Sequence, residues 1–288
     1  MTNRVALVTC QALPHLSDDD QHALPALSAR GITGVPVVWN DPTATWSDYD
    51  MVIIRSAWDY YHQPAAFASW IDSLDQAGVP LWNTPRVVRA NLDKRYLATL
   101  ADAGVPIVPT LWLEAGQTVD LPALLAEQGW TEAVIKPVVS AGAHRTHLVT
   151  AASQQLFDVS VARAATMLQP YLSEIETDGE WSLVYLGGTF SHAVRKVPRP
   201  GDFRVQPQHG GQTRRETPPD AVRAAADQLL RQVPDPMLYA RVDGVERDGQ
   251  FLLMELELIE PRLFFEYAHD ACDRFADAVE SALQRALP

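Results

Sequence analysis

The chain has 288 residues, 47% of them hydrophobic, which predicts about two domains with apolar cores. Its formal net charge of −13 argues against a nucleic-acid-binding protein, because such a surface needs a basic stripe. Only Cys10 and Cys272 occur, far apart in the sequence, so we expect no disulfide framework and no cysteine metal site, and we predict a reduced, cytoplasmic enzyme. No apolar run approaches the roughly 20 residues of a membrane span, and residues 4–10 are too short a run for a signal peptide.

Residues 1–90 alternate strand and helix patterns. Glycine and proline mark the junctions, as in Gly78-Val-Pro80, where a helix ends and a strand begins. The alternation predicts a parallel, doubly wound sheet of Rossmann-like α/β type over residues 1–88. Its predicted strands are Val5–Thr9, Val35–Trp39, Met51–Arg55 and Val79–Trp82, and its predicted helices are Asp18–Arg30 and Pro64–Gln76.

From residue 89 onward, helix and strand patterns mix, which predicts two α+β halves at 89–170 and 171–288. The predicted helices are Asn91–Ala103, Ser153–Arg163, Pro219–Gln232 and Ala268–Ala286. The predicted strands are Ile107–Leu113, Ala133–Pro137, Met167–Leu172, Leu183–Tyr185, Phe190–Arg195, Tyr239–Asp243 and Phe251–Ile259.

The last of these strands carries two carboxylates, Glu255 and Glu257, in an otherwise apolar run. Alternate strand residues share a face, so the two side chains lie about 6.6 Å apart along one face. Two like charges on a partly buried surface are unfavourable unless a cation lies between them. Together with Asp243 on the preceding strand they predict an all-oxygen Mg²⁺ site. The alternative is an acidic edge strand that is solvated on one face.

This metal site requires one register of the hairpin. Asp243 lies opposite Glu255 only if the turn is centred on Gly249, which requires an odd number of loop residues. We therefore predict a three-residue loop, Asp248-Gly-Gln250, with Gly249 in the left-handed conformation. A two-residue turn would place Asp243 opposite Met254, on the core face.

Familiar nucleotide and metal motifs are absent from the sequence, which has no Gly-x-Gly-x-x-Gly after a strand, no P-loop and no His-Glu-x-x-His. The chain has instead a series of separated elements. In order they are Lys94, Lys136 before a proline, the small-residue loop around Gly142, Gln169–Leu172, Gly179–Leu183, Val194–Pro198, the long loop Arg204–Gly211, and Asp243 with Glu255 and Glu257.

The order of these elements resembles the ATP-grasp superfamily, in particular ligases similar to prokaryotic glutathione synthetase and to the cyclo-ligase of cycloserine biosynthesis. The resemblance covers nearly the whole chain. It implies a Rossmann-like pre-ATP-grasp domain followed by the two halves of an ATP-grasp fold, with ATP and Mg²⁺ as cofactors. It also implies an ADP-forming enzyme that joins a carboxylate to an amine through an acyl phosphate.

The resemblance further implies which residues contact the cofactors. For ATP they are Lys94 and Lys136 at the phosphates, Gly142 in a mobile loop over them, Gln169, Tyr171 and Leu172 in the adenine hinge, and Glu180, or alternatively Glu176, at the ribose. The metal strand of the family commonly has Glu-x-Asn, whereas this chain has Glu255-x-Glu257 beside Asp243. The extra negative charge is expected to strengthen the attraction of Mg²⁺.

Basic residues and glycines complete the candidate site. Arg55 ends a predicted strand at the edge where open α/β sheets bind ligands, and a guanidinium there suits a small carboxylate. The other candidates are Arg195 and Arg204 for the acyl phosphate, and Arg262, Gly210 and Gly211 for the substrate. The structural alternatives are a solvated Lys94 on its predicted helix, a salt bridge between Arg55 and a nearby acid, and a simple loop hinge at Gly210-Gly211.

The sequence thus predicts an ATP-dependent carboxylate–amine ligase that acts on a small, amino-acid-like carboxylate. Its expected partners are small molecules, with no nucleic acid and no membrane, and a homo-oligomer is left open. The alternatives are a ring-closing ligase of the same fold, a nucleotide-binding regulatory protein without turnover, and a dinucleotide-dependent reductase. The missing glycine motif already counts against the reductase.

Overall fold

The computed structural model describes residues 3–202, 204–205 and 210–286, whose strands form three sheets in chain order. The first sheet contains β1 (Asn3–Thr9), β2 (Ile32–Val38), β3 (Met51–Ser56) and β4 (Leu81–Trp82), with helices α1 (Asp18–Gln21), α2 (Leu24–Ala29) and α3 (Pro64–Gln76). Its strands are parallel, as predicted, in the order β2-β1-β3-β4. The single predicted helix Asp18–Arg30 is wrong, because a turn at residues 22–23 separates α1 from α2, and Pro25 lies in the first turn of α2, where proline is tolerated.

Both faces of the first sheet are covered by helices. Successive residues of β1 point to opposite faces, so Leu7 packs in one cluster with Leu27 of α2. Val8 packs in another cluster with Phe67 of α3. The sheet is therefore the middle layer of three.

The second sheet is antiparallel in the order β5-β8-β6-β7. The elements of this part are α4 (Pro85–Asn91), α5 (Tyr96–Asp102), β5 (Leu111–Leu113), α6 (Leu121–Gln128), β6 (Glu132–Pro137), β7 (His147–Thr150), α7 (Gln154–Arg163) and β8 (Thr166–Pro170). The predicted helix Asn91–Ala103 is interrupted, because residues 92–95 form a turn. Lys94 lies in that turn, where its backbone N–H donates to the Val138 carbonyl at 2.9 Å.

The third sheet is antiparallel in the order β11-β10-β9-β12-β13. Its elements are α8 (Glu174–Thr177), β9 (Glu180–Leu186), β10 (Thr189–Val197), β11 (Gln212–Arg215), α9 (Asp220–Leu230), β12 (Tyr239–Arg247), β13 (Gln250–Glu257) and α10 (Ala271–Ala286). One face packs against α9 through Leu183 and Leu229. The other face packs against α10 through Val184 and Phe275, and further along β9 it becomes polar at Ser182 and Glu180.

The β12–β13 hairpin has the predicted pairing of Asp243 with Glu255, but its turn differs from the predicted one. Asp243 lies opposite Glu255, as the metal hypothesis required. The three-residue loop is wrong, since Arg247 pairs with Gln250 and leaves a two-residue Asp248-Gly249 turn with positive φ at both positions. A β-bulge between Asp243 and Gly244 shifts the register by one residue and restores the Asp243–Glu255 pair.

Each sheet lies within one of the three segments 1–88, 89–170 and 171–288, whose boundaries stay predictions. None of the helices in the described part of the chain is long and apolar enough to cross a membrane.

Candidate active site

A cavity of about 580 Å³ lies where the three parts of the chain meet, a volume typical of small-molecule sites. Trp58 and Tyr60 from the first part, Lys136 from β6 and Glu255 from β13 all line it. The predicted site residues that line it are Lys94, Lys136, Gly142, Gln169, Tyr171, Leu172, Glu180, Arg204, Asp243, Glu255, Glu257 and Arg262. The predicted site residues that do not line it are Arg55, Glu176, Arg195, Gly210 and Gly211.

The third sheet presents a row of charged side chains to this cavity. Lys196 of β10 lies opposite Glu180 of β9, and Asp243 of β12 lies opposite Glu255 of β13. Asp243 also lies opposite Ser182 of β9. Directly opposed residues share a face, so these side chains form one continuous polar surface.

The carboxylate oxygens of Asp243 are bound by neighbouring side chains. It is 2% exposed and accepts hydrogen bonds from Arg241 at 2.8–3.1 Å and from the Ser182 hydroxyl, with Lys196 Nζ 3.6 Å away. Burial would raise the pKa of Asp243, but Arg241 and Lys196 outweigh burial and hold it below its usual range. No group of three or more acidic, histidine or cysteine side chains in the described ranges is arranged to hold a metal. The predicted three-carboxylate centre is therefore not assembled, because Arg241 and Ser182 occupy the Asp243 oxygens.

Glu255 and Glu257 are the more open carboxylates, with side chains 28% and 25% exposed. Glu255 lies 2.9 Å from Lys94 Nζ, and Glu257 is bound by Arg241. Burial would raise the pKa of Glu255, but Lys94 and Lys136 lower it, whereas burial raises the pKa of Glu257 to about 7. Two partly open carboxylates fit Mg²⁺, which proteins commonly hold with one or two carboxylates plus waters and substrate phosphates.

Lys136 differs from the other two lysines of this surface in its partners. Within residues 3–202, 204–205 and 210–286, no carboxylate lies within 4.0 Å of its ammonium, although its side chain lines the cavity. Burial lowers the pKa of Lys136, and the attraction of Glu255 offsets that effect only in part. Lys136 is half-buried, and a charge that is partly removed from water without a partner is unfavourable, so this ammonium indicates an anionic ligand.

The distribution of lysine points to the same cavity. The sequence contains only three lysines, Lys94, Lys136 and Lys196, and all three line it. The ammonium of Lys196 is bound by Glu180, and that of Lys94 by Glu255. Burial would lower the pKa of both lysines, but the neighbouring carboxylates outweigh it and raise the pKa. The chain thus reserves its compact ammonium groups for one site.

An apolar end of the cavity coincides with the predicted adenine hinge. Val108, Leu172 and Ile175 form a buried cluster there, and Met254 packs against it. Met254 was expected on the core face with Leu256; the bulge in β13 instead places it along the cavity wall. The backbone from residue 169 to residue 172 runs beside this slot.

Of the two carboxylates proposed for ribose, only Glu180 lines the cavity. It is 8% exposed and bound by Lys196. Burial raises the pKa of Glu180, against the opposing effect of Lys196. Glu176 lies exposed on α8 and accepts a hydrogen bond from the Tyr171 hydroxyl.

Two loops carried predicted glycines, and the structure separates them. Gly142 lines the cavity with φ of +59°, in a loop that Lys94 Nζ contacts at the Ser140 carbonyl, 2.6 Å away. A Cβ on Gly211 would lie 2.0 Å from the Val205 carbonyl oxygen, so that glycine permits a close backbone approach. Neither Gly210 nor Gly211 lines the cavity, and their contact with the substrate stays a prediction. Residues 206–209 of the predicted loop Arg204–Gly211 lie outside the described residues.

Arg195 does not face the cavity. Its guanidinium lies 3.6 Å from the centre of the Trp181 ring, and it is 3.6 Å from both Glu216 and Glu246. Adjacent strand residues point to opposite faces, so Lys196 occupies the place that we had predicted for Arg195. This orientation does not support the predicted contact of Arg195 with the acyl phosphate, which stays a prediction.

Arg55 is also absent from the cavity wall. It is 2% exposed, and its guanidinium donates to Asp20 Oδ1 at 2.9 Å and to the Pro261 carbonyl at 2.7 Å. The salt-bridge alternative is the one that the structure contains. Arg55 supports the segment after β13, and its burial does not support the predicted direct contact with the substrate, which stays a prediction.

Arg204 and Arg262 do line the cavity. Arg204 binds Asp202 through two hydrogen bonds of 2.9 and 3.0 Å, and Arg262 binds Glu266. Three further charged residues of the cavity were not predicted from the sequence: Lys196, Arg241 and Glu260. A signal existed for Arg241, which precedes Asp243 by two residues and so shares its face.

Comparison with known proteins extends this picture to the whole chain. A family model described as the N-terminal domain of the D-cycloserine synthetase DcsG matches residues 5–83. The cycloserine biosynthesis protein DcsG of Streptomyces lavendulae is 30% identical over 296 residues, covering 97% of this chain and 99% of that protein. The glutathione synthetase of Ralstonia nicotianae is 24% identical over 251 residues, covering 83% and 70%.

Solved structures agree. The crystal structure of the D-cycloserine synthetase DcsG matches with a TM-score of 0.87 and 29% identity, covering 99% of this chain and 100% of that one. The ATP-grasp ligase PsnB, complexed with a minimal precursor, Mg and ADP, matches with a TM-score of 0.65 and 19% identity, covering 98% of each chain. At 19% identity, the similarity to PsnB shows a common fold and nothing more.

Proposed function

Because the chain belongs to the ATP-grasp ligases, with the cycloserine biosynthesis protein DcsG as a relative, we propose that it activates a small, amino-acid-like carboxylate with ATP as an acyl phosphate that an amine then attacks. The predicted family, the ATP-grasp fold and the class of ADP-forming ligase are confirmed. The observation that carries the rest of the proposal is Lys136, a half-buried lysine that lines the cavity and has no carboxylate partner in the described chain.

We assign the nucleotide to the part of the cavity that contains the three lysines. The adenine occupies the slot formed by Val108, Leu172 and Ile175, and the ribose lies near Glu180. The phosphates lie near Lys136, under the loop that contains Gly142. The support for this assignment is the match of each wall to the chemistry of one part of ATP: apolar for the base, cationic for the phosphates.

Mg²⁺ is bound in a structure of the fold, and this chain has residues that fit it. Glu255 and Glu257 would hold the ion, because both are partly open carboxylates on one side of the cavity. When bound, Mg²⁺ supplies positive charge that neutralises phosphate oxygens. Asp243 is left out of this set, since its oxygens are occupied by Arg241 and Ser182.

The proposed chemistry needs charge stabilisation more than a nucleophilic side chain. A carboxylate oxygen of the substrate takes the γ-phosphoryl group and ADP leaves; the amine nitrogen then attacks the acyl carbon and phosphate leaves. Lys94 and Lys136 stabilise the charge on the phosphoryl oxygens during transfer. Arg204, on the cavity wall, holds the acyl phosphate.

A ring-closing reaction is the second candidate, and one observation favours it. The relative at 30% identity and the structure with a TM-score of 0.87 are both named for the synthesis of cycloserine. In ring closure the acid and the amine belong to one molecule, so a single organic substrate suffices.

ADP release separates these candidates. The protein is supplied with MgATP and amino-acid-like compounds, first one at a time and then with a second amine. ADP formation with one compound, together with a product one water lighter than that compound, supports ring closure. A product built from two molecules, whether of one compound or of a pair, supports joining. ADP release that no carboxylate stimulates would contradict the proposed activation step.

A further inference from the structure

Phe264, on the cavity wall, has a strained backbone conformation. Its φ is +53° and its ψ is 44°, which is the left-handed region. A bulky residue rarely adopts this conformation, because its Cβ lies too close to the following carbonyl oxygen. Such strain persists only where the surrounding structure imposes it, and it is concentrated at functional sites. The contacts that impose it on Phe264 therefore indicate residues that position the cavity wall.

Asp19, in α1 of the first part of the chain, binds the backbone N–H groups of this segment. Its carboxylate accepts hydrogen bonds from the N–H groups of Leu263 and Phe264 at 3.0 Å and from that of Phe265 at 2.8 Å. Asp19 is 4% exposed, so water does not compete for these donors. A carboxylate has about four acceptor sites, which is enough for three converging donors. The Asp19 side chain thus fixes the direction of three successive peptide groups.

His192, in β10 of the third sheet, binds the carbonyl groups of the same segment. Its ring nitrogen Nε2 lies 3.0 Å from the carbonyl oxygen of Leu263 and 3.2 Å from that of Phe264. A carbonyl oxygen only accepts hydrogen bonds, so Nε2 carries a proton and donates it. Nδ1 of the neutral ring then accepts from the Ser191 hydroxyl, 2.8 Å away, and this bond fixes the tautomer.

The turn at Phe264 also supports Arg241, the arginine that binds two of the predicted metal carboxylates. The Arg241 guanidinium lies 5.6 Å from the centre of the Phe264 ring, a distance at which a ring attracts a cation. Its Nη1 donates to the Arg262 carbonyl at 3.1 Å. The same guanidinium binds Asp243 and Glu257. The conformation of one residue thus places a ring and a carbonyl group where they hold this guanidinium.

We propose that Asp19 and His192 are positioning residues for the proposed reaction. Together they hold Phe264 in the left-handed conformation. Phe264 then keeps Arg241 against Glu257, one of the two carboxylates that would hold Mg²⁺. The inference rests on the proposed function, because the effect on turnover requires that these carboxylates serve phosphoryl transfer. Neither Asp19 nor His192 lines the cavity, so both act through the segment that they bind.

Hydrogen exchange of the peptide that contains residues 263–265, followed by mass spectrometry, tests the contacts of Asp19. The variants are Asp19→Asn, which keeps the size and replaces an acceptor oxygen with a donor, and Asp18→Asn, an exposed control in the same helix. Asp19→Asn is expected to speed the exchange of this peptide at least about tenfold, because hydrogen bonds of its N–H groups are lost. Asp18→Asn should not change it. Unchanged exchange in Asp19→Asn would overturn the role of Asp19.

Kinetics test whether Asp19 acts through Phe264. Asp19→Asn is expected to lower kcat for ADP release roughly 10- to 100-fold, as small displacements of catalytic groups do. Its affinity for ADP without Mg²⁺, measured by calorimetry, should stay unchanged, and an equal loss of both would indicate a merely structural residue. Phe264→Gly removes the strain and the ring together, so adding Asp19→Asn to it should lower kcat little further. Losses that multiply in the double variant would contradict action through Phe264.

The two tests separate this inference from the proposed function. If the wild type releases no ADP with any carboxylate, the proposed function fails, and the exchange rates still decide for or against the role of Asp19. If Asp19→Asn does not fold, His192→Phe removes the other contacts of the segment and keeps a ring. It is expected to show the same slow turnover with unchanged ADP affinity, and normal turnover would overturn the inference.

Discussion

The ammonium of Lys94 lies 2.9 Å from a carboxylate oxygen of Glu255, and the lysine is 7% exposed. The same ammonium donates to the Ser140 carbonyl at 2.6 Å. Lys94 therefore joins β13 to the loop that contains Gly142, in addition to facing the cavity. Lys136 faces the same cavity without an ion pair in the described chain, so the two lysines are expected to respond differently to replacement.

Lys94→Met is expected to lower stability. Removing one member of a buried ion pair leaves the other charge uncompensated, which costs about 3 kcal/mol or more. Urea denaturation measures this loss. The double variant Lys94→Met/Glu255→Gln should recover part of it, since no unpaired carboxylate remains. A double variant whose loss is the sum of both single losses would show that the pair makes no contribution.

Lys136→Met is expected to weaken ADP binding at least tenfold while changing the melting temperature little. The replacement keeps the apolar stem in place and removes only the charge. Calorimetric titration with MgADP gives the first quantity and thermal unfolding gives the second. Normal ADP affinity combined with a lower melting temperature would make Lys136 a structural residue.

Arg55 and Asp20 are expected to behave as a buried pair with no direct substrate contact. Arg55→Met should destabilise the fold by about 3–5 kcal/mol. Asp20→Asn should reduce that cost when the two changes are combined, because the uncompensated charge disappears. A double-mutant cycle by denaturation gives the coupling free energy. Additive losses, with zero coupling, would contradict the pair.

His192 is expected to make stability depend on pH. It is 3% exposed, and burial lowers its pKa to about 4 from the ordinary 6.5. Between these two pH values the unfolded chain binds more protons than the folded one, so stability rises with pH. The effect of neutral His192 on the free energy of unfolding is fully present above pH 6.5. It falls by about 3 kcal/mol as the pH drops to 4.

Denaturation of His192→Gln between pH 4 and 7 tests this linkage. The variant should lose that part of the pH dependence, although its stability at pH 7 also falls, because the ring nitrogen Nε2 lies 3.0 Å from the Leu263 carbonyl. His15→Gln, at an exposed position, serves as the control and should keep the wild-type slope. An unchanged slope in His192→Gln would assign the pH dependence to other groups.

The sequence predicted the parallel first sheet, the final hairpin and the pairing of Asp243 with Glu255. It failed where a single residue of register decides a side chain's direction. Arg195 and Lys196 are adjacent in β10, and strand geometry sends them to opposite faces, yet no local pattern states which face borders the cavity. The bulge that pairs Asp243 with Glu255 is not marked by any sequence pattern except Gly244. A glycine is needed there because a Cβ would lie 2.4 Å from the Leu252 carbonyl oxygen.

Tertiary partners account for the other errors. Arg55 lies next to the last residue of β3, one position from the predicted end, but its guanidinium binds Asp20 and the Pro261 carbonyl, which are distant in sequence. Arg241 takes the carboxylate that the metal hypothesis had assigned to Mg²⁺. The rarity of lysine, by contrast, was visible in the sequence and would have identified Lys196.

Protection of the lysines by nucleotide tests most directly whether this cavity is the ATP site. Amine-reactive labelling is quantified at each lysine by mass spectrometry, with and without saturating MgADP. Lys136 should react most readily in the free protein, because burial lowers its pKa and no carboxylate in the described chain binds it. MgADP should then reduce the labelling of Lys136 at least tenfold, and labelling that stays unchanged while calorimetry shows MgADP bound would place the nucleotide elsewhere.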